Sequence, residues 1–308
     1  MVLAALSQQT YSKESCEIIV IDDGSTESFV GLDSLINSVP FYYICQPKAG
    51  ATAARNHGAE LSSGDILVFL DDDIDLVPIA LQVLVETLLN YPKTIVLGLI
   101  QPCVLAGSGV FSRITAGIDL DPRQSPYTVS FSECFSGTLA MWRKDFYSIG
   151  MFQDPTGGWP NWDDIELGYR ACKKGYQFIR CPQAIGWHRD HSLADLKSYC
   201  LRTARAACSA VVLFQKYPEI YQFLPMFHDK TPISFQSDSP YLIAHKLFHT
   251  LTAFPQFIRI LESLASSLES TCPRPGLLLP IYRWINSIYI YRGFRYGLQI
   301  YGPLMRFG

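Results

Sequence analysis

GDILVFLDDDID, residues 64–75, carries five apolar positions, Ile66 to Leu70, directly into three adjacent aspartates, Asp71, Asp72 and Asp73. A short apolar run closed by polar residues is the pattern of a buried strand ending at a turn. Three neighbouring carboxylates repel one another unless something positive sits between them, and a bound cation would serve. The stretch therefore predicts both a strand and a charge-binding site at its carboxyl end.

The same grammar repeats on either side. CEIIVIDDGSTE (16–27) reads as a buried strand ending in an Asp-Asp-Gly-Ser turn. YYICQPKAGATAARNHGAELSSG (42–64) gives a second short strand, a Gly-marked loop and a helix that stops near Gly64. IALQVLVETLLNYP (79–92) has helical apolar spacing with a Pro92 stop, and TIVLGLIQPCVL (94–105) reads as a further strand. Strands alternating with helices predict a mostly parallel α/β sheet. Such sheets bind ligands at the carboxyl ends of their strands, where Asp22-Asp23 and Asp71 to Asp73 both fall. Residues 107–135 are polar, hold Gly, Ser and Pro, and lack clear periodicity, which marks them as a candidate substrate loop. Beyond about residue 190 the alternation gives way to helical patterns.

The 308 residues allow about two domains, and 48% hydrophobic with 17% charged residues fits a globular protein and excludes a disordered one. Net charge is −3, unevenly spread. Residues 241–308 hold seven of the 25 basic side chains and two of the 28 acids, leaving 18 basic and 26 acidic in the first 240. The two parts are expected to meet different partners. Nine scattered cysteines without a CxxC pair point to reduced thiols in a cytoplasmic setting. MVLAALSQQT lacks the basic segment and long apolar stretch of a signal peptide, so secretion is not expected. The apolar stretches 242–268 and 277–301 are interrupted by basic residues and prolines, and read as interfacial or buried helices rather than membrane spans. No nucleic-acid-binding module is recognisable, so no nucleic acid partner is expected.

Mn2+ and Mg2+ favour carboxylate oxygen and complete their shells with substrate phosphates and water, so an aspartate triplet suits a metal that bridges a diphosphate. In NWDDIELGYR (161–170), Asp163 followed by Glu166 is a possible capping box, and Glu166 can pair with Arg170 one turn on. Asp164 is left with neither task. Trp159 and Trp162 offer indole faces that either stack on a sugar ring or simply pack.

Four blocks, EIIVIDDGSTE (17–27), PKAGATAARNHGAELSSGDILVFLDDDI (47–74), FSGTLAMWRKDFYSIGMFQD (135–154) and NWDDIELGYRACKKGYQFIRCPQAIGWH (161–188), occur in the order and spacing of the family 2 glycosyltransferases of the GT-A fold. The chain strongly resembles that family over about residues 4–190. The resemblance implies a GT-A nucleotide-diphospho-sugar transferase fold, Rossmann-like with a mostly parallel sheet, over residues 1–190, and a helical C-terminal extension over 191–308.

It further implies that Asp22 and Asp23 lie against the nucleotide base and ribose, that Asp71, with Asp72 beside it, faces the donor, and that Asp73 holds the metal with His188 as second ligand. Arg55 and Asn56 match a motif near the nucleotide pocket, and Gly137 a point where backbone approaches the donor sugar, although a turn glycine is the plainer explanation. Asp164 matches the catalytic base of the family's ED-type motif, with Asp163 in place of the usual glutamate; Trp159, Trp162 and Asp163 are the acceptor-side candidates. The implied reaction is an inverting, metal-dependent transfer from a nucleotide-diphosphate sugar, with a lean towards uridine, to a glycan or lipid-linked glycan.

The chain departs from the family at its start: the usual first apolar strand and its turn are not represented, and an upstream extension of the reading frame is expected to supply them. That gap keeps open a non-catalytic nucleotide-sugar-binding partner subunit. A phosphotransferase with an aspartate nucleophile in LDDD ranks last, because Asp75 stands where that chemistry wants Thr or Val. Arg292, Arg295, Gln299 and Arg306 recur at helical steps on one face, either a solvated surface or a peripheral contact with anionic lipid on the inner face of the cytoplasmic membrane.

Overall fold

A computed structural model describes residues 2–27, 31–36, 39–104, 108–116, 123–154, 162–189 and 193–304. The chain forms two compact units, Met1–Cys103 with Leu120–Arg189, and Val104–Asp119 with Asp190–Gly308.

The first unit alternates short strands and helices: α1 (Val2–Ser7), β1 (Ile18–Asp22), β2 (Phe41–Cys45), α2 (Ala51–Leu61), β3 (Ile66–Leu70), β4 (Ile74–Leu76), α3 (Ala80–Asn90) and β5 (Thr94–Pro102), then β6 (Tyr127–Val129), β7 (Thr138–Trp142), α5 (Arg143–Ile149), α6 (Asp163–Lys173) and β8 (Gln177–His188). β1 and β2 pair in parallel as one sheet. The other sheet runs β3-β7-β5-β8-β4, with β6 against β8. β5 and β8 are parallel, whereas β7 runs antiparallel to β3 and β5, and β4 and β6 antiparallel to β8. The fold is thus α/β with mixed strand direction: the alternation of strand and helix anticipates the parallel pairs, but β4 and β7 enter through short turns and reverse direction. Among the described residues, no strand pairs with β1 opposite β2 or with β3 opposite β7.

The core of this unit explains the sequence pattern. α3 turns Ala80, Val83, Leu84 and Leu88 inward, at helical spacing, onto Ile74, Leu76, Val96 and Ala140 of the sheet. Each fully buried Leu or Ile contributes roughly 1.5–3 kcal/mol, which fixes β3 and β4 and so the acidic turn between them.

The second unit holds α4 (Val110–Ala116), α7 (Leu196–Lys216), α8 (Pro240–Thr252), α9 (Pro255–Thr271) and α10 (Pro275–Tyr301). α10 buries Leu278, Tyr282, Ile285 and Ile288 in a core shared with Phe111, Ile258 and Leu261. Further along, a Cβ on Gly293 would lie 2.1 Å from the Ala204 carbonyl oxygen, and one on Gly297 2.3 Å from that of Cys208. The two glycines let α10 lie directly on the α7 backbone. The stretch 107–135, expected to be a loop, instead contains α4, β6 and a 3-10 turn, and Phe111 sits edge-on to Tyr282, 5.1 Å between centroids. The apolar spacing in VFSRITA, obscured by its polar neighbours, is what folds α4. No described helix is long and apolar enough to cross a membrane, and all nine cysteines are free thiols.

Candidate active site

β1 delivers Asp22 and Asp23 to a turn at the start of α2. Asp23 accepts hydrogen bonds from the Ala49 and Gly50 amides and from Gln46 Nε2, each at 2.7 Å. Burial pushes the Asp23 carboxyl up, and these bonds outweigh it, so its pKa falls below the ordinary value. Asp22 takes the Tyr43 hydroxyl and, at 2.8 Å, the Ser25 amide. The Tyr43 bond is the main reason its pKa is lowered.

Arginine side chains supply positive charge at both ends of the aspartate run. Arg55, on α2, donates from Nη2 to Asp71 Oδ1 at 2.7 Å and from Nη1 to Asp163 Oδ2 at 3.0 Å. His188 Nε2 lies 3.1 Å from Asp73 Oδ2, and Arg189 pairs with Asp75. Asp72 is exposed. Asp73 and His188 come together because β4 pairs antiparallel with β8, setting Ile74 opposite His188.

At the start of α6, Asp163 and Asp164 have different surroundings. Asp163 accepts from Arg55 and, at 3.0 Å, from the Thr52 hydroxyl. The expected capping box does not form: the N-cap is Trp162, without a side-chain bond, and Asp163 reaches back to α2. Glu166 does pair with Arg170, at 2.8 Å. Asp164 is 8% exposed and accepts only the Ile165 amide at 2.9 Å and, more weakly, the Ser136 amide at 3.4 Å among its described hydrogen bonds. Burial, and then the neighbouring Asp163 charge, push its pKa up to about 7. A carboxyl poised there exchanges protons near neutral pH.

Other candidates have plainer surroundings. Gly137 is fixed by packing, since a Cβ would lie 2.4 Å from the Phe135 ring and 2.7 Å from the Ile74 side chain. Asn56 holds the Phe152 backbone with two hydrogen bonds, at 2.9 and 3.1 Å. Trp162 is 6% exposed. Trp159, His191 and Arg306 lie outside the described residues. The sequence reading overlooked Thr52, Tyr43 and Arg189; Thr52 was findable, because it stands one helical turn before Arg55 and so on the same face of α2.

A profile of glycosyl transferase family 2 matches residues 1–149. The match covers just under half of the chain. Curated relatives similar to the chain include the glycosyltransferase AglE of Haloferax volcanii, 39% identical over 77 residues, covering 23% of this chain and 24% of that protein. Another is the validoxylamine A glucosyltransferase of Streptomyces hygroscopicus subsp. limoneus, 29% identical over 220 residues, covering 61% of this chain and 48% of that one. The chain thus spans between about a quarter and a half of the length of these curated relatives. Among solved structures it is similar in fold to the mannosyltransferase PcManGT of Pyrobaculum calidifontis in complex with GDP-Man and Mn2+, with a TM-score of 0.56 and 15% identity over 96% of this chain and 82% of that one. The fold is that of the GT-A glycosyltransferases. In family 2 terms, the matched region holds Arg55 and the strand-end aspartates, while Asp164 and His188 lie beyond it.

Proposed function

We propose that the protein is an inverting glycosyltransferase that moves a sugar from a nucleoside-diphosphate sugar, UDP-linked by first choice, to a hydroxyl of a glycan or lipid-linked glycan, with residues 1–190 as the catalytic domain. One observation carries the reading: Asp164 is buried beside a second aspartate already tied to Arg55, with a pKa of about 7. Donor binding falls to the turn of Asp22 and Asp23, to Asp71 with Asp72, and to the backbone at Gly137; Trp162 and Asp163 are the described candidates for the acceptor side.

Asp73 and His188 offer one oxygen and one nitrogen within 3.1 Å of each other. That donor set suits Mn2+, with Mg2+ as the alternative, leaving coordination positions for diphosphate oxygens and water. When bound, such an ion neutralises the charge that grows on the departing diphosphate. The relative PcManGT, crystallised with GDP-Man and Mn2+, supports a divalent ion.

The protein's own residues then divide the chemistry. Asp164 takes the proton of the acceptor hydroxyl as its oxygen bonds to the anomeric carbon from the face opposite the diphosphate. The bond from carbon to the diphosphate oxygen breaks, and the diphosphate leaves with the electron pair. Arg55 and the Thr52 hydroxyl occupy the Asp163 carboxylate, leaving the acceptor proton to Asp164.

Residues 191–308 are proposed to rest on the inner face of the cytoplasmic membrane. Arg292, Arg295 and Gln299 are exposed on α10, with Tyr296 59% and Ile300 52% exposed among them. The function is tested by incubating the purified protein with a panel of nucleotide sugars and Mn2+ and identifying the nucleotide released. One donor turned over, and lost with Asp164→Asn, is expected; equal turnover by the variant would refute the base assignment.

A further inference from the structure

In the helical unit, α8 carries His245 and His249 one turn apart, and the segment before it supplies Asp229. One donor atom from each of the three lies within 4.8 Å of the others. His249 Nε2 stands 2.7 Å from Asp229 Oδ2, and His245 Nδ1 4.0 Å from the same oxygen. His249 is 5% exposed, whereas Asp229 and His245 line a cavity of about 430 Å³ that also reaches Arg283, Asn286 and Tyr241.

The cluster does not satisfy itself. Lys230 Nζ lies 3.1 Å from the same His249 Nε2 and 2.5 Å from Asp229 Oδ1. A single ring nitrogen cannot donate to Asp229 and accept from Lys230 at once. The second nitrogen, Nδ1, is buried without a hydrogen-bond partner. The two contacts compete for one atom, and an ion in place of the Lys230 ammonium resolves the competition: neutral Nε2 and the carboxylate oxygen would both be ligands, with His245 as the third.

We propose that Asp229, His245 and His249 form a divalent metal site, separate from the Asp73 and His188 pair and selective for zinc. Two imidazoles and one carboxylate are a zinc donor set, and Mg2+ would want more oxygen. Three protein ligands leave a fourth position, which opens into the cavity and takes water or an anionic ligand. Lys230 is the internal competitor, and metal uptake displaces its ammonium.

The test is zinc alone titrated into the full chain, read as bound metal per chain, with cobalt substitution reporting tetrahedral coordination by its absorption spectrum. Zinc that Asp73→Asn leaves in place, and that His245→Ala weakens by more than the roughly 10- to 100-fold expected from loss of an outer-shell partner, is the predicted result. Lys230→Met should tighten binding. His245 has a side chain 45% exposed, so its alanine variant tests the ligand role with little risk to folding. No zinc uptake, or uptake unchanged in both His245→Ala and Lys230→Met, would overturn the proposal. Glycosyl transfer is read separately, so failure here leaves the Asp164 assignment standing.

Discussion

Asp164 in the α/β unit and Asp229 in the helical unit are both buried or half-buried aspartates, yet their proton affinities move in opposite directions. Asp164 has a second aspartate beside it, and the nearest cation, Arg55, is already shared between Asp71 and Asp163. Its pKa rises to about 7. Burial also pushes Asp229 up, but His249 and Lys230 outweigh it and hold that carboxyl well below the ordinary range. Asp238 is likewise matched, by Lys246 at 2.7 Å, with side-chain exposures of 8% and 3%. An excess of acids over cations makes a proton acceptor, and one-to-one matching makes a tie.

The largest effect should come from Asp164→Asn, which removes the acceptor and keeps the shape. Loss of transfer by about 10²- to 10⁴-fold, with donor binding retained, is expected from steady-state kinetics and donor titration. In the native protein, transfer should rise with pH and level off above about 7, because the base works only when ionised. Stability should show the reverse trend. A raised carboxyl pKa favours the fold fully below the unfolded value of 3.8 and loses that benefit as pH climbs through about 7. Asp164→Asn should therefore gain stability relative to the native protein at pH 8, by up to about 4 kcal/mol in denaturant titrations.

Breaking a matched pair should act the other way. Lys246→Met leaves Asp238 buried without its ammonium and should cost about 3–5 kcal/mol of stability. Arg55→Met is the sharper counterpart. It strips Asp71 and Asp163 of their cation and removes a charge that lowers the Asp164 pKa, so the activity plateau should move to higher pH. A profile left in place would sink the proposed division of labour between Asp163 and Asp164.

Packing in the helical unit predicts a smaller loss. Gly293→Ala forces a methyl group against the Ala204 carbonyl oxygen, and about 1–3 kcal/mol should be lost on thermal or denaturant unfolding. Smallest is Arg292→Ala with Arg295→Ala: both residues are exposed, so stability should change by less than about 0.5 kcal/mol per site. Flotation with anionic liposomes should fall with the same pair, and unaltered flotation would discard the membrane contact.

Much of the α/β unit was legible because its strands and helices announce themselves locally. Ile66 to Leu70 followed by aspartates, and α3 between Ile79 and Pro92, need only short-range periodicity and turn chemistry. The direction of β4 and β7 was not legible, since pairing partners are set by long-range burial. Asp164 could be singled out because Asp163 and Glu166 offered a capping box; that box does not form, Asp163 being held by Arg55 across 108 residues of sequence. Such a contact leaves no local trace. α4 hid in a polar stretch because Val110, Phe111 and Ile114 alone, among its described residues, pack on the helical core. His245 and His249 had visible one-turn spacing, but Asp229 reaches them from a segment with no helical or strand period of its own.

The catalytic reading stands or falls with donor capture at the acidic strand ends. Titration calorimetry of the full chain with nucleoside diphosphates should detect uptake that manganese tightens by more than about tenfold and that Asp73→Asn makes insensitive to manganese. Uptake equal with and without manganese, or none for any nucleoside diphosphate, would contradict it.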